Sequence, residues 1–273
     1  MVKLAYKFYQ KSEVLDGHKD SNSETKNSEI QFIILHGLFG SSKNWVTISK
    51  FLTNYGNVYS LDLRNHGDSP HTDLHSIESM AYDLDAFIED HNLKNVILLG
   101  HSMGGLVSMY FDLTRKGRLK HLIIQDIAPR DYPFIYENEI ASMSFPLDSF
   151  KSRQEIDRKM QEYVPDAFIR QFLQMNLDRT EEGIYKWKLN VQLIGKGRQL
   201  FENLFLDLEP SSTKTTFLIG GSSEYIKETD YQLIRNLFND HQIYVIEGGG
   251  HYIHFTHQNK YIELLESILA MIV

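Results

Sequence analysis

Gly100-His101-Ser102-Met103-Gly104-Gly105 follows the apolar run Asn95-Val96-Ile97-Leu98-Leu99 and leads into Leu106-Val107-Ser108-Met109-Tyr110. The run before it has the length and composition of a buried strand, and the stretch after it has helical periodicity, so the six residues form the turn between them. A G-x-S-x-G turn of this kind holds its serine in a strained conformation. The flanking glycines are needed because a side chain at Gly100 or Gly104 would collide with the turned backbone. Ser102 is therefore expected to project beyond the end of the strand. The first N–H groups of the helix, that of Met103 above all, are then free to hold an oxyanion formed when the serine attacks an acyl carbon.

Outward from this turn the same alternation recurs. Strands are expected near Ile30 to Leu35, Val58 to Leu63, Asn95 to Leu99, His121 to Gln125, Thr215 to Ile219 and Gln242 to Ile246. Helical patterns lie near Asn44 to Asn54, Ser79 to His91, Gly104 to Arg115, Thr229 to Asn239 and Asn259 to Ile272. Strands alternating with helices predict an α/β fold, with a mostly parallel central sheet covered by helices on both faces. Leu4 to Tyr9 reads as an edge strand, and the polar stretch Gly17 to Glu29 as an exposed, mobile loop.

After Ala128-Pro129 the alternation stops, and it resumes only at Thr215. The interval is helical, aromatic and acidic, with helices expected at Gln154 to Tyr163 and Asp166 to Asn176. Open α/β sheets bind ligands beyond the carboxyl ends of their strands, where Ser102 would emerge. Residues 130–210 are therefore expected to form a helical cap over a core made of 1–129 and 211–273.

A chain of 273 residues is long enough for one such core with an insert. Its net charge of −8 and lack of long basic runs argue against nucleic acid or an anionic membrane as the main partner. With no cysteine there is no thiol nucleophile, disulfide or Cys-ligated metal. Neither a signal-peptide core nor a run long enough to cross a bilayer is present, which makes a soluble cytoplasmic protein the default expectation.

A serine hydroxyl needs a base within hydrogen-bond reach, itself oriented by an acid. His251 fits best as the base, because it follows a strand through Glu247-Gly248-Gly249-Gly250, which frees the backbone to bring an imidazole across the end of the sheet. No acidic helix motif or further ligand accompanies His251 and His254, so no metal is expected, and the chemistry needs no cofactor. The second oxyanion donor is expected at Leu38, in His36-Gly37-Leu38-Phe39-Gly40 after the first core strand. For the acid, the loop after Thr215 to Ile219 offers Glu224 or, further on, Asp230, while Asp126 ends the strand His121 to Gln125. Asp62 and Arg64 are expected to hold the loop Asn65 to Ser69 beneath the site. Phe39, Phe168, Phe172 and Trp187 are candidate acyl-binding residues among the aromatic side chains around the insert.

Taken together, His36-Gly37-Leu38-Phe39-Gly40-Ser41, Leu63-Arg64-Asn65-His66-Gly67, the serine turn, Asp126-Ile127-Ala128-Pro129-Arg130-Asp131-Tyr132, Trp187-Lys188-Leu189-Asn190-Val191 and Gly248-Gly249-Gly250-His251 resemble the α/β-hydrolase superfamily. The finer matches are similar to compact bacterial esterases and acyl-CoA thioesterases, related to a mitochondrial abhydrolase-domain hydrolase and yeast ethanol acetyltransferases. The resemblance implies acyl transfer from small esters or thioesters, usually to water, and it implies Asp126 as the acid. Rival expectations are transfer to an alcohol, hydrolysis of a carbon–carbon bond, and a ligand receptor that retains the triad.

Overall fold

The computed structural model describes residues 1–12, 29–197 and 200–273. In chain order the elements are β1 (Tyr6–Tyr9), β2 (Gln31–Leu35), a 3-10 turn (Ser42–Trp45), α1 (Val46–Leu52), β3 (Asn57–Leu61), α2 (Ile77–Asp90), β4 (Val96–His101), α3 (Met103–Thr114) and β5 (Leu119–Gln125). The interval after β5 holds α4 (Glu137–Ser142), α5 (Arg153–Met160), α6 (Ala167–Gln174), β6 (Leu177–Arg179), β7 (Tyr185–Trp187) and α7 (Val191–Ile194). The alternation then returns with β8 (Thr215–Gly220), α8 (Asp230–Leu237), β9 (His241–Ile246), α9 (Ile253–Thr256) and α10 (Gln258–Ile272).

The main sheet has seven strands in the order β1-β3-β2-β4-β5-β8-β9. Only β1 is antiparallel, so the mostly parallel sheet expected from the sequence is present. Its central strands β2, β4, β5 and β8 are buried on both faces, and their side chains alternate between two cores as the period of a strand requires. Ile33, Leu35, Leu98, Ile124 and Phe217 enter one core with Leu84, Phe87, Met109 and Phe111 of α2 and α3. Phe32, Ile34, Ile97, Leu99 and Leu218 enter the other with Ile48 and Leu52 of α1 and Tyr261, Leu265 and Leu269 of α10.

This placement puts the ends of β2, β4, β5 and β8 side by side. Leu35 is in register with Gly100, and His101 with Gln125, so the segments that follow these strands start from one edge.

The strand expected over Val58 to Leu63 ends at Leu61; the Asp62 N–H still donates to Ala5 O at 2.8 Å, while its carboxylate holds the following loop. The segment 130–210 departs further from expectation, since it contains the antiparallel hairpin β6–β7 as well as helices. Each of these strands is three residues long, too short to establish a period of two, and Gly183 at φ 81° makes the turn between them. The loop expected over Gly17 to Glu29 falls, apart from Glu29, outside the described residues. Among the described residues no helix is long and apolar enough to cross a membrane.

Candidate active site

Ser102 lies between β4 and α3 with φ 51° and ψ −120°, a conformation that costs a non-glycine residue about 1–3 kcal/mol. The surrounding glycines explain how the turn closes. A Cβ on Gly100 would strike Ser108 Oγ and the Gly104 carbonyl, and one on Gly104 would lie 2.5 Å from Leu35 O and 2.6 Å from His36 O. A Cβ on Gly37 would lie 3.1 Å from Ser102 Cβ, which places the loop after β2 against the serine. The Ser102 hydroxyl has no hydrogen-bond partner among the described residues.

Asp126 follows β5 with φ 53°, and its side chain is fully buried. Its Oδ1 accepts the Gly220 N–H at 2.9 Å, while Oδ2 accepts the Ser223 hydroxyl at 2.5 Å and His251 Nδ1–H at 2.7 Å. A buried carboxylate requires such donors. By occupying Nδ1–H, it leaves Nε2 of neutral His251 as the lone-pair nitrogen, able to take a proton. The two alternative acids lie elsewhere. Glu224 is exposed, and Asp230 is buried against Arg130 at 3.1 Å.

Three further contacts fix His251. Its carbonyl accepts Nε2–H of His101 at 3.0 Å, its ring stacks on Tyr225 at 3.7 Å and 14°, and Tyr252 meets its ring edge-on at 5.3 Å. The Tyr225 hydroxyl reaches Tyr136 at 3.0 Å, while Ser223 Oγ accepts the Tyr225 N–H at 3.2 Å. Ser223, Tyr225 and Tyr252 are not among the residues singled out from the sequence. The loop after β8, expected to offer a carboxylate at Glu224, contributes the Ser223 hydroxyl as a donor to Asp126 instead.

Burial keeps the neighbouring histidines neutral. His101 is pushed well below its ordinary value by desolvation and by the proximity of His251 and His254. Desolvation lowers His254 to about 3, and its ring lies flat on Trp45 at 4.2 Å while Nδ1 accepts from Gln125 at 2.7 Å. Burial likewise lowers His36 to about 4 and His66 to about 3. These groups take up protons in the unfolded chain near pH 6.5 but resist them when folded, so the unfolded state binds more protons at acid pH. Stability is therefore full above pH 6.5 and falls toward pH 4, by about 1.4 kcal/mol per pH unit for each such histidine. Thermal melts between pH 7.5 and 4.5 should show the midpoint dropping; an unchanged midpoint would contradict the buried, neutral assignment.

Neither the Leu38 nor the Met103 N–H has an acceptor among the described residues. Met103 opens α3, whose first N–H groups lack intrahelical partners. The loop below is braced as expected for Asp62, whose Oδ1 accepts the Ser42 N–H at 2.6 Å and Oδ2 the Asp68 N–H at 2.9 Å. Arg64 turns away from that loop to form a buried pair with Asp83 of α2 at 2.6 Å.

Of the expected acyl-binding residues, Phe168 and Phe172 line a cavity of about 240 Å3 with Asn44, Gln171, Met175, Tyr252, His254 and Phe255. Tyr252 connects it to the histidine, touching Phe168 at 5.3 Å and Phe172 at 5.2 Å. Phe39 and Trp187 do not line this cavity. Phe39 packs edge-on against Tyr136 at 5.6 Å, and Trp187 is half-buried on β7.

The family described as the alpha/beta hydrolase fold matches residues 31–258. Mouse sn-1-specific diacylglycerol lipase ABHD11 is 32% identical, covering 87% of this chain and 80% of its own. Ethanol acetyltransferase 1 of Cyberlindnera fabianii is 28% identical, covering 97% and 85%. Among solved structures, a marine microorganism esterase superposes with a TM-score of 0.86 at 35% identity, covering 97% of this chain and 99% of that one.

Proposed function

Because the chain belongs to the α/β-hydrolase family, and is an enzyme of that type, we propose that it cleaves carboxylic esters or acyl thioesters through an acyl-serine intermediate. The observation that carries this reading is the bond from His251 Nδ1 to a buried Asp126 beside a serine held at positive φ. In the proposed mechanism Ser102 Oγ attacks the acyl carbon while its proton passes to His251 Nε2. Asp126 orients the ring and balances the imidazolium that forms. The Leu38 and Met103 N–H groups hold the oxyanion of the tetrahedral intermediate. Collapse expels the alkoxide or thiolate, which takes the proton from Nε2, and leaves the acyl group on Ser102. Water then repeats the attack with His251 as base, returning the free acid and the serine.

A second reading replaces that water by an alcohol. It is favoured by the likeness to the ethanol acetyltransferase and needs no change in the first half of the reaction. Products separate the two: in water with added ethanol, a hydrolase yields mainly acid and a transferase mainly ethyl ester.

Residues 130–210 serve in this proposal as the cap, with Phe168 and Phe172 contacting the acyl chain and Phe39 and Trp187 packing outside the cavity. One methylene in an apolar pocket is worth about 1–3 kcal/mol, so shortening a wall should move the preferred chain length. Phe168→Ala and Phe172→Ala are expected to favour longer chains by about tenfold in kcat/KM, relative to the acetyl ester. Graded p-nitrophenyl esters and acyl-CoAs measure this and separate ester from thioester preference. Two folded variants with the parent profile would place the acyl pocket elsewhere.

A further inference from the structure

The loop that carries Leu38 is held from a distance by the inserted segment. Phe39 has φ 61°, and its carbonyl accepts Nδ2–H of Asn176 at 2.6 Å. Asn176 is buried just after α6; its own carbonyl accepts the Lys188 N–H of the hairpin at 2.9 Å, and its Nδ2 also reaches Leu173 O at 3.2 Å. Two carbonyl acceptors on Nδ2 fix which way this amide faces.

From Phe39 the bonds continue in one direction. The carbonyl of Phe39 and the N–H of Gly40 belong to one planar peptide, and that N–H donates to Gly37 O at 2.9 Å. The carbonyl of Gly37 and the N–H of Leu38 belong to the next peptide, in which they point in opposite directions. His36 Nδ1–H donates to the same Gly37 oxygen at 2.8 Å, its Nε2 being occupied as acceptor of the Leu63 N–H at 3.0 Å. Donation into one peptide polarises it and strengthens its own N–H as a donor.

Resting on the reading of Leu38 as an oxyanion donor, we propose that Asn176 is a positioning residue for that donor, acting through the Phe39–Gly40 and Gly37–Leu38 peptides. The side chain touches neither the serine nor the cavity lined by Phe168 and Phe172. What it sets is the direction and strength of the Leu38 N–H. The segment that covers the site thereby also tunes its chemistry, because Asn176 takes its position from α6 and the hairpin.

The test compares the parent with Asn176→Leu, using p-nitrophenyl butyrate kinetics, a trifluoromethyl ketone that adds to the serine, and the matching carbinol that cannot. The relay predicts that kcat and the affinity for the ketone both fall about 10- to 50-fold, less than loss of a whole donor, with KM and carbinol affinity within about twofold. Asn176→Ser, whose hydroxyl is too short to span the gap, gives the same comparison if the leucine variant does not fold. Retention of kcat and ketone affinity would overturn the proposal. So would a loss of kcat matched by equal losses in KM and carbinol affinity, which marks a general distortion. A parent enzyme that binds the ketone no tighter than the carbinol would instead overturn the oxyanion reading on which the relay rests.

Discussion

Ser102→Ala should lose on the order of a millionfold in kcat for p-nitrophenyl butyrate while keeping the fold, since removal of a triad nucleophile costs about as much as removal of the whole triad. The motivating geometry is the turn between β4 and α3, where a non-glycine residue is held at φ 51° by neighbours that leave no room for a Cβ at Gly100 or Gly104. Alanine keeps the Cβ and removes only a hydroxyl that has no partner among the described residues, so little stability depends on it. Turnover is read by nitrophenolate release and the fold by the thermal midpoint. A folded variant retaining a tenth of parental turnover would remove Ser102 from the nucleophile role.

Asp126→Asn should lose about 10⁴-fold in kcat, because an amide facing Nδ1 favours the wrong tautomer of the imidazole. Glu224→Gln should change kcat by less than about threefold, since an exposed carboxylate is already solvated and has little to lose. The contrast rests on surroundings rather than residue type. Asp126 is enclosed by the Gly220 N–H, the Ser223 hydroxyl and His251, while Glu224 faces water and Asp230 is engaged by Arg130. Equal stability of the two variants in denaturant titrations would confine the difference to chemistry. The reverse order of losses would transfer the acid role to Glu224.

Much of this fold is legible in the sequence because its central strands are buried on both faces and so appear as unbroken apolar runs, each followed by a helical period. The turn at Ser102 is legible for a different reason: the positions where a side chain cannot fit are written as glycine. The acid is less so. The residues alone leave Asp126, Glu224 and Asp230 open and only the family resemblance points to Asp126; nothing in the sequence signals that Gly220 and Ser223 arrive beside Asp126 from the end of β8, more than ninety positions later. Ser223, Tyr225 and Asn176 escape notice because each is a single residue whose effect depends on a distant contact, and no period marks it. The hairpin in the insert escapes because three-residue strands carry no period. Aromatic content likewise identifies a pocket-forming segment without saying which rings face the cavity; Phe168 and Phe172 do, and Trp187 does not.

The most direct test of an acyl-serine enzyme is the site of reaction with a fluorophosphonate, read by mass spectrometry of the digested protein. The account predicts rapid, stoichiometric modification of the peptide carrying Ser102, abolished in Ser102→Ala and slowed in His251→Ala. Active, folded protein that remains unlabelled, or is labelled at another residue while Ser102 stays free, would contradict it.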